Sequence, residues 1–243
     1  MIVVLASCHD TAAQTLVEQH RDSDVCMMTP DDLSRAGWRH QLADLENGAA
    51  VAAGETLPSR TLAGVLARLP WVAEYELPQI VPADRAYVAA EMNAFLLSWL
   101  TELTCPVLNR PTPQCLSGPF WRREKWVQTA SRLGIPVAAV HRQVRFSGSP
   151  VLTTDTGSGG ACVTIVGPTH VGAVDRELVE QARALARSAR VELLVVQFSH
   201  AARGAVLENV GLWPDITDSA VADAILKRFV EPAAVADDDA RHA

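Results

Sequence analysis

The chain has 243 residues, 49% of them hydrophobic and 20% charged, with a formal net charge of −7. That length suits one large domain or two small ones with a sizeable core. The acidic balance excludes a general nucleic-acid binder, which would carry a basic stripe, and no stretch reaches the ~18 apolar residues of a membrane span.

Five cysteines are present, Cys8, Cys26, Cys105, Cys115 and Cys162. The number is odd and no pair has Cys-x-x-Cys spacing, which argues against a disulfide framework or a structural zinc site. They are expected to be mostly buried small hydrophobes in a reducing cytosol, which makes the protein cytoplasmic. The opening "MIVVLAS" lacks a basic n-region and reads as a strand, not a signal peptide. Only two lysines occur, Lys125 and Lys227, so Lys125 stands out.

In chain order, "IVVLAS" is a short continuous apolar run, as in a strand buried on both faces. "CHDTAAQTLVEQH" predicts a helix capped by Asp10 or Thr11. "DVCMM" is a second strand, and "TPDDLSRAG" a capped turn ending at Gly37. "GAAVAAGETLPSRTLAGVLARL" reads as two strands around a polar turn. The apolar hairpin "GAAVAAG…LAGVLARLPWV" predicts a homodimer through the N-terminal domain. "PADRAYVAAEMNAFLLSWLTEL" is a long helix, with Ala89, Met92, Phe95, Leu96, Trp99, Leu100 and Leu103 on its buried face. "CPVLN" is the next strand. The alternation of strand and helix implies an α/β domain over residues 1–105.

The second half opens with the loop "RPTPQCLSGPF" and the helix "WRREKWVQTASRLG", closed by Gly134. That helix is expected to bury Trp126, Ala130 and Leu133, with Lys125 flanking the stripe. "IPVAAV" and "RQVRFSG" read as strands, "TDTGSGG" as a loop, and "ACVTIVG" and "THVGAV" as two strands around a Gly-Pro turn. "DRELVEQARALARSA" is a helix with Asp175 as N-cap. "VELLVVQFS" is a central strand with "GAVLENV" beside it, and "TDSAVADAILKRFV" the last helix. Residues 232–243 read as a disordered tail. The sequence boundaries are therefore 1–105, 106–231 and 232–243.

Two local motifs carry chemistry in other settings. Asp155-Thr156-Gly157-Ser158 matches the aspartic-protease tetrapeptide, but those enzymes set two such aspartates face to face, and this chain has one copy. A surface turn is the preferred reading. Cys8-His9-Asp10 ends the first strand, where open α/β sheets place ligand sites. Adjacent strand residues point to opposite faces, so Cys8 reads as core ahead of nucleophile. Trp121 and Trp126, beside Lys125, suit a core or the wall of a pocket. Arg68, Arg110, Arg122 and Arg123 suit a carboxylate or phosphopeptide partner when taken together and surface solvation when taken singly.

The segment "CPVLNRPTPQCLSGPFWRREKWVQTASRLGIPV" resembles the junction between the N-terminal and central parts of ATP-grasp ligases. The nearest branch is the ribosomal-protein-S6-modification-like, peptide-modifying one. The chain from "RALARSARVELLVVQFS" to "ADAIL" is similar to that family's C-terminal catalytic module. The resemblance implies a Rossmann-like pre-ATP-grasp domain followed by a shortened ATP-grasp-like module. Asn109 and Lys125 would be the remnant nucleotide contacts, and Cys8, His9, Arg110, Trp121 and Trp126 would line a ligand cleft.

The chain departs from the family pattern at the metal site and at the lid. Where the family carries an acidic metal ligand at the end of a catalytic strand, Gln197 stands here. With Pro214 setting the register of the last strand, Asn209 and Gly211 take the places of the family's Glu and Asn. A shift by one residue would recover Glu208. Few residues separate Ile135-Pro136 from "TDTGSGG", so the lid reads as deleted or severely shortened. No Lys follows Lys125 until Lys227. These departures predict a truncated, degenerate pseudo-ligase with no cofactor. It would act as a binding or scaffold partner for a peptide, small acid or enzyme in a peptide-modification or natural-product pathway. The alternative is an active enzyme using ATP and Mg²⁺, either a carboxylate-amine ligase completed by a partner chain or new chemistry at the old cleft.

Overall fold

The computed structural model describes residues 1–41, 47–138 and 160–230. They form two compact units. One runs Met1–Phe120 and takes up the chain again from Asp215; the other is Trp121–Pro214. Residues 106–120 and the last helix, which the sequence reading grouped with the C-terminal module, therefore pack with the N-terminal unit. The expected "RQVRFSG" strand, the "TDTGSGG" loop with its Asp155 motif, the segment read as a lid deletion and the tail after Pro232 lie outside the described residues.

The first unit is built on a parallel sheet. Strands β1 (Ile2–Leu5), β2 (Val25–Met28), β5 (Gly64–Ala67) and β6 (Val107–Leu108) stand in the order β2-β1-β5-β6. The runs IVVL and GVLA are buried at every position, as strands covered on both faces require. Helix α1 (Thr11–Gln19) joins β1 to β2; Asp10 caps it, accepting from the Ala13 N–H at 3.0 Å. The predicted turn after β2 is a 3₁₀ helix, Pro30–Ser34, opened by a reciprocal Thr29/Asp32 capping box.

Sequence reading expects two strands between Gly48 and Leu69; the structure has three. Strands β3 (Ala49–Ala52) and β4 (Glu55–Pro58) form a separate antiparallel hairpin around Ala53 and Gly54. Both turn residues have positive φ, the geometry of a type I′ turn. Pro58 and the turn Ser59–Thr61 then release the chain into β5 and the main sheet. Ala49, Ala50, Val51, Val65 and Leu66 are fully buried, so of the hairpin read as a dimer surface Trp71, 48% exposed, is the large apolar side chain left outward among the described residues.

Helix α2 (Arg85–Glu102) buries Ala89, Leu96, Trp99 and Leu100, with Leu103 just beyond it; Met92 and Phe95 are partly covered. Helix α5 (Ser219–Val230) rests on β5, with the Phe229 ring against Gly64.

The second unit is an antiparallel sheet of β7 (Ala161–Val166), β8 (Thr169–Val171), β9 (Leu193–Phe198) and β10 (Leu207–Gly211), in the order β10-β9-β7-β8. Helices α3 (Arg123–Arg132) and α4 (Arg176–Ala189) pack together over one face. The sheet presents Val163, Ile165, Leu194, Val196, Phe198 and Leu207 to them. Asp175 caps α4, accepting from Glu177 N–H at 2.8 Å. Trp126 and Ala130 are buried as expected, but Leu133 is 42% exposed, because it sits at the C-cap where the helix turns off the core. The "IPVAAV" strand is represented by a single parallel bridge, Val137 to Leu207, before the described chain breaks off.

Candidate functional site

The helix-free face of the second sheet carries the residues that replace metal ligands in the sequence reading. Gln197 on β9 is paired directly with Asn209 on β10 and, on its other side, with Cys162 on β7. All three are exposed. Two residues further along the ladder, Gly211 pairs with Val195, whose Cγ1 lies 3.4 Å from where a side chain at 211 would begin.

Glu208 behaves differently from a strand residue. Leu207 pairs with Phe198 and Asn209 with Gln197, so Glu208 is an extra residue at an irregularity in the ladder, a β-bulge. Strand alternation would point it to the opposite face from Asn209, but the alternation is broken here. Its Oε2 lies 3.1 Å from the place of a Gly160 Cβ, and its backbone carbonyl accepts from Arg123 Nη2 at 3.3 Å.

At the start of α3, Lys125 is exposed with its Nζ 5.3 Å from the centre of the Trp121 ring, a cation–π arrangement. Trp121 in turn meets Trp126 with ring centres 4.7 Å apart. Arg122 and Arg123 stand in the same turn, at the end where the helix dipole disfavours cations. This end of α3 gathers three cations, with the Glu124 carboxylate among them.

The remaining candidates belong to the first unit. Asn109 is buried at 2% exposure, directly after β6. Arg110 folds back on the C-terminus of α2, its guanidinium donating to the carbonyls of Leu100, Thr101, Leu103 and Cys105. Those donors are spent on the helix end, so Arg110 serves as a cap. Cys8 and His9 lie in a turn after β1, both exposed, so the strand alternation that made Cys8 core does not reach them. Asp10 accepts from Arg68 Nε at 2.8 Å. Nearby, Asp215 titrates below the usual carboxylate range, held there by hydrogen bonds from Thr217 and, to a lesser degree, by Arg68.

All five cysteines are free thiols, and only Cys115 is buried; Cys8 and Cys162 are exposed. Burial pushes the half-covered Cys26 thiol up to about 11. Iodoacetamide at mildly alkaline pH is therefore expected to label Cys8 well before Cys26, since the thiolate is the nucleophile. Peptide mapping that finds Cys26 labelled first would contradict this burial. Among the described residues, no three His, Cys, Asp or Glu side chains are grouped to hold a metal ion, and no helix is long and apolar enough to cross a membrane.

No family model and no curated protein matches the chain by sequence. Solved structures match it by fold. The macrocyclase MdnC from Microcystis aeruginosa MRC, bound with precursor peptide MdnA, aligns with a TM-score of 0.63 at 10% identity, over 96% of this chain and 100% of that one. A Chryseobacterium gregarium RiPP-associated ATP-grasp ligase, in complex with ADP and a leader and core peptide, gives 0.60 at 8% identity over 93% and 95%. The ATP-grasp ligase PsnB, complexed with minimal precursor, Mg and ADP, gives 0.59 at 13% over 95% and 98%. The chain is an α/β protein with the fold of ATP-grasp ligases.

Proposed function

We propose that this chain is a pseudo-ligase: an ATP-grasp-fold protein that binds or scaffolds a peptide, or the enzyme that modifies it, without carrying out ligation. The peptide context is drawn from the fold neighbours, which are ligases caught with precursor peptides. One observation carries the non-catalytic part of the reading, the direct pairing of Gln197 with Asn209. Mg²⁺ is a hard cation that takes carboxylate and phosphate oxygens. Two neutral amides, with a glycine at the third position, do not fit it, and Glu208 offers one carboxylate at a bulge.

The alternative is a working enzyme, an ATP- and Mg²⁺-dependent carboxylate-amine ligase completed by a partner chain or a new chemistry in the same place. Lys125 on Trp121 and the carboxylate of Glu208 are the features that favour it. ADP release separates the two. With MgATP and a short peptide encoded by a neighbouring gene, ADP is expected to stay at the level of a protein-free control, while the peptide binds equally well with and without EDTA. Peptide-stimulated ADP formation would establish the enzyme.

A further inference from the structure

The second unit carries a cavity on the helix side of its sheet, away from Gln197 and Asn209. About 390 Å³ in volume, it opens where the C-terminal end of α4 meets the turn between β7 and β8. Its floor is Ile165, Ala186 and Val191, all buried. The local backbone makes the room. Gly167, at φ 54°, donates its N–H to the Glu192 carbonyl at 2.7 Å, and Arg190, in the left-handed conformation, ends the helix before Val191. Arg183 is fixed at the mouth, its Nη2 donating to the Pro168 carbonyl at 3.0 Å and its Nη1 meeting Glu180 Oε1 at 3.0 Å. One helical turn further along, Arg187 is exposed and holds no ion pair among the described residues. Glu192 is the one carboxylate in the lining.

We infer, on the peptide-binding reading above, that this cavity takes an acidic peptide segment: an apolar side chain enters the floor and the neighbouring Asp or Glu carboxylate docks on Arg187. Ligand sites span about 300–1,000 Å³ and pair a mostly apolar lining with a few fixed polar groups, and this cavity has both properties. A guanidinium whose donors are not spent within the protein can take both oxygens of a carboxylate. Arg187 stands in the last turn of α4, a placement the helix dipole favours for a cation.

Charge selects an acidic occupant. Trp121–Pro214 holds eleven Lys and Arg against seven Asp and Glu, a net +4, while the rest of the chain holds ten against twenty-one, a net −11. Around the cavity, Arg183, Arg187 and Arg190 against Glu180 and Glu192 leave one positive charge. That suits a single carboxylate and is too little for a polyanion. No aromatic ring lines the cavity for a nucleic-acid base to stack on. A peptide with one carboxylate beside one apolar side chain matches both the charge and the floor.

Fluorescence anisotropy of a rhodamine-labelled Gly-Leu-Asp-Gly peptide, without nucleotide or Mg²⁺, tests this. Saturable binding to the unmodified chain is expected. Replacing the peptide's Leu by Gly, or its Asp by Asn, should each weaken binding about tenfold. Arg187→Glu is expected to weaken it by about tenfold or more. Arg176→Glu makes the same charge change about 16 Å away along α4, beyond the Debye length in physiological salt, and should cost less than about threefold. Both arginines are exposed, so circular dichroism should match the unmodified chain; if Arg187→Glu disturbs folding, Arg187→Gln decides. Equal losses in the two variants would reduce the effect to diffuse charge and overturn the proposal, as would no binding by the unmodified chain. A single-stranded oligonucleotide that binds more tightly than the peptide, and loses that binding in Arg187→Glu, would overturn it in favour of a nucleic-acid contact. Peptide binding that survives Arg187→Glu overturns this site and leaves the pseudo-ligase reading standing, whereas peptide-stimulated ADP formation overturns that reading and leaves the site.

Discussion

Millimolar MgATP is expected to leave the melting temperature of this protein where a matched salt control puts it. A ligand that binds only the folded state, at a hundred times its dissociation constant, adds about 2.7 kcal/mol. For a chain of this length each kcal/mol moves the melting point by about 2–4 °C. A competent nucleotide site would therefore raise melting by about 5–10 °C, far above the error of the measurement. On the proposed reading Gln197 and Asn209 stand at the metal positions, and their amide oxygens are poor substitutes for the carboxylates that Mg²⁺ prefers. Lys125 holds one positive charge over an indole ring, too little to neutralise a triphosphate alone. Changing Gln197→Asp and Asn209→Glu together is expected to leave the result unaltered, because on the proposed reading no lid is present to close over the phosphates. A reproducible, Mg²⁺-dependent rise in the unmodified protein would give the enzyme reading precedence.

Much of the fold is legible in the sequence, for local reasons. Buried parallel strands such as IVVL need apolar side chains on both faces, and Asp10 and Asp175 mark helix starts because their carboxylates satisfy orphan backbone N–H groups. The β7–β8 hairpin follows from a Gly-Pro turn between apolar runs. The pairing of Gln197 with Asn209 is foreshadowed by two motifs read separately, though neither gives the register.

Tertiary choices are what sequence reading misses. Nothing local says that the chain leaves the β3–β4 hairpin at Pro58 to start a third strand, or that α5 returns to the first unit. Cys162 beside Gln197 escapes notice because the β7–β9 register joins residues far apart in the chain. The bulge at Glu208 defeats any argument from period-two alternation, which presumes an unbroken ladder. Arg110 looks like a ligand-binding cation until its four carbonyl partners, up to ten residues earlier, come into view.

Placing a methyl group at residue 64 is expected to be among the most damaging single changes in the first unit. Gly64 opens β5, which is hydrogen-bonded to β1 on one side and β6 on the other, so its backbone has nowhere to move. A glycine inside such a strand marks a close approach by another element. Here the element is α5, and a Cβ at 64 would fall within the ring of Phe229, itself 4% exposed. The ring is rigid and seated from behind by its own helix, so Gly64→Ala must lift α5 off the sheet. Overpacking of this kind costs about 1–3 kcal/mol or more. Phe229→Ala empties the same place and is expected to cost about 3–5 kcal/mol. Either change lowers melting by several degrees, to as much as ~20 °C for the phenylalanine. In the double variant the new methyl occupies space the ring has left, so the combined loss should fall short of the sum by about 1–3 kcal/mol. Urea titrations of the three variants measure that difference directly. Strictly additive losses would mean that Phe229 and Gly64 do not touch and that α5 is seated elsewhere.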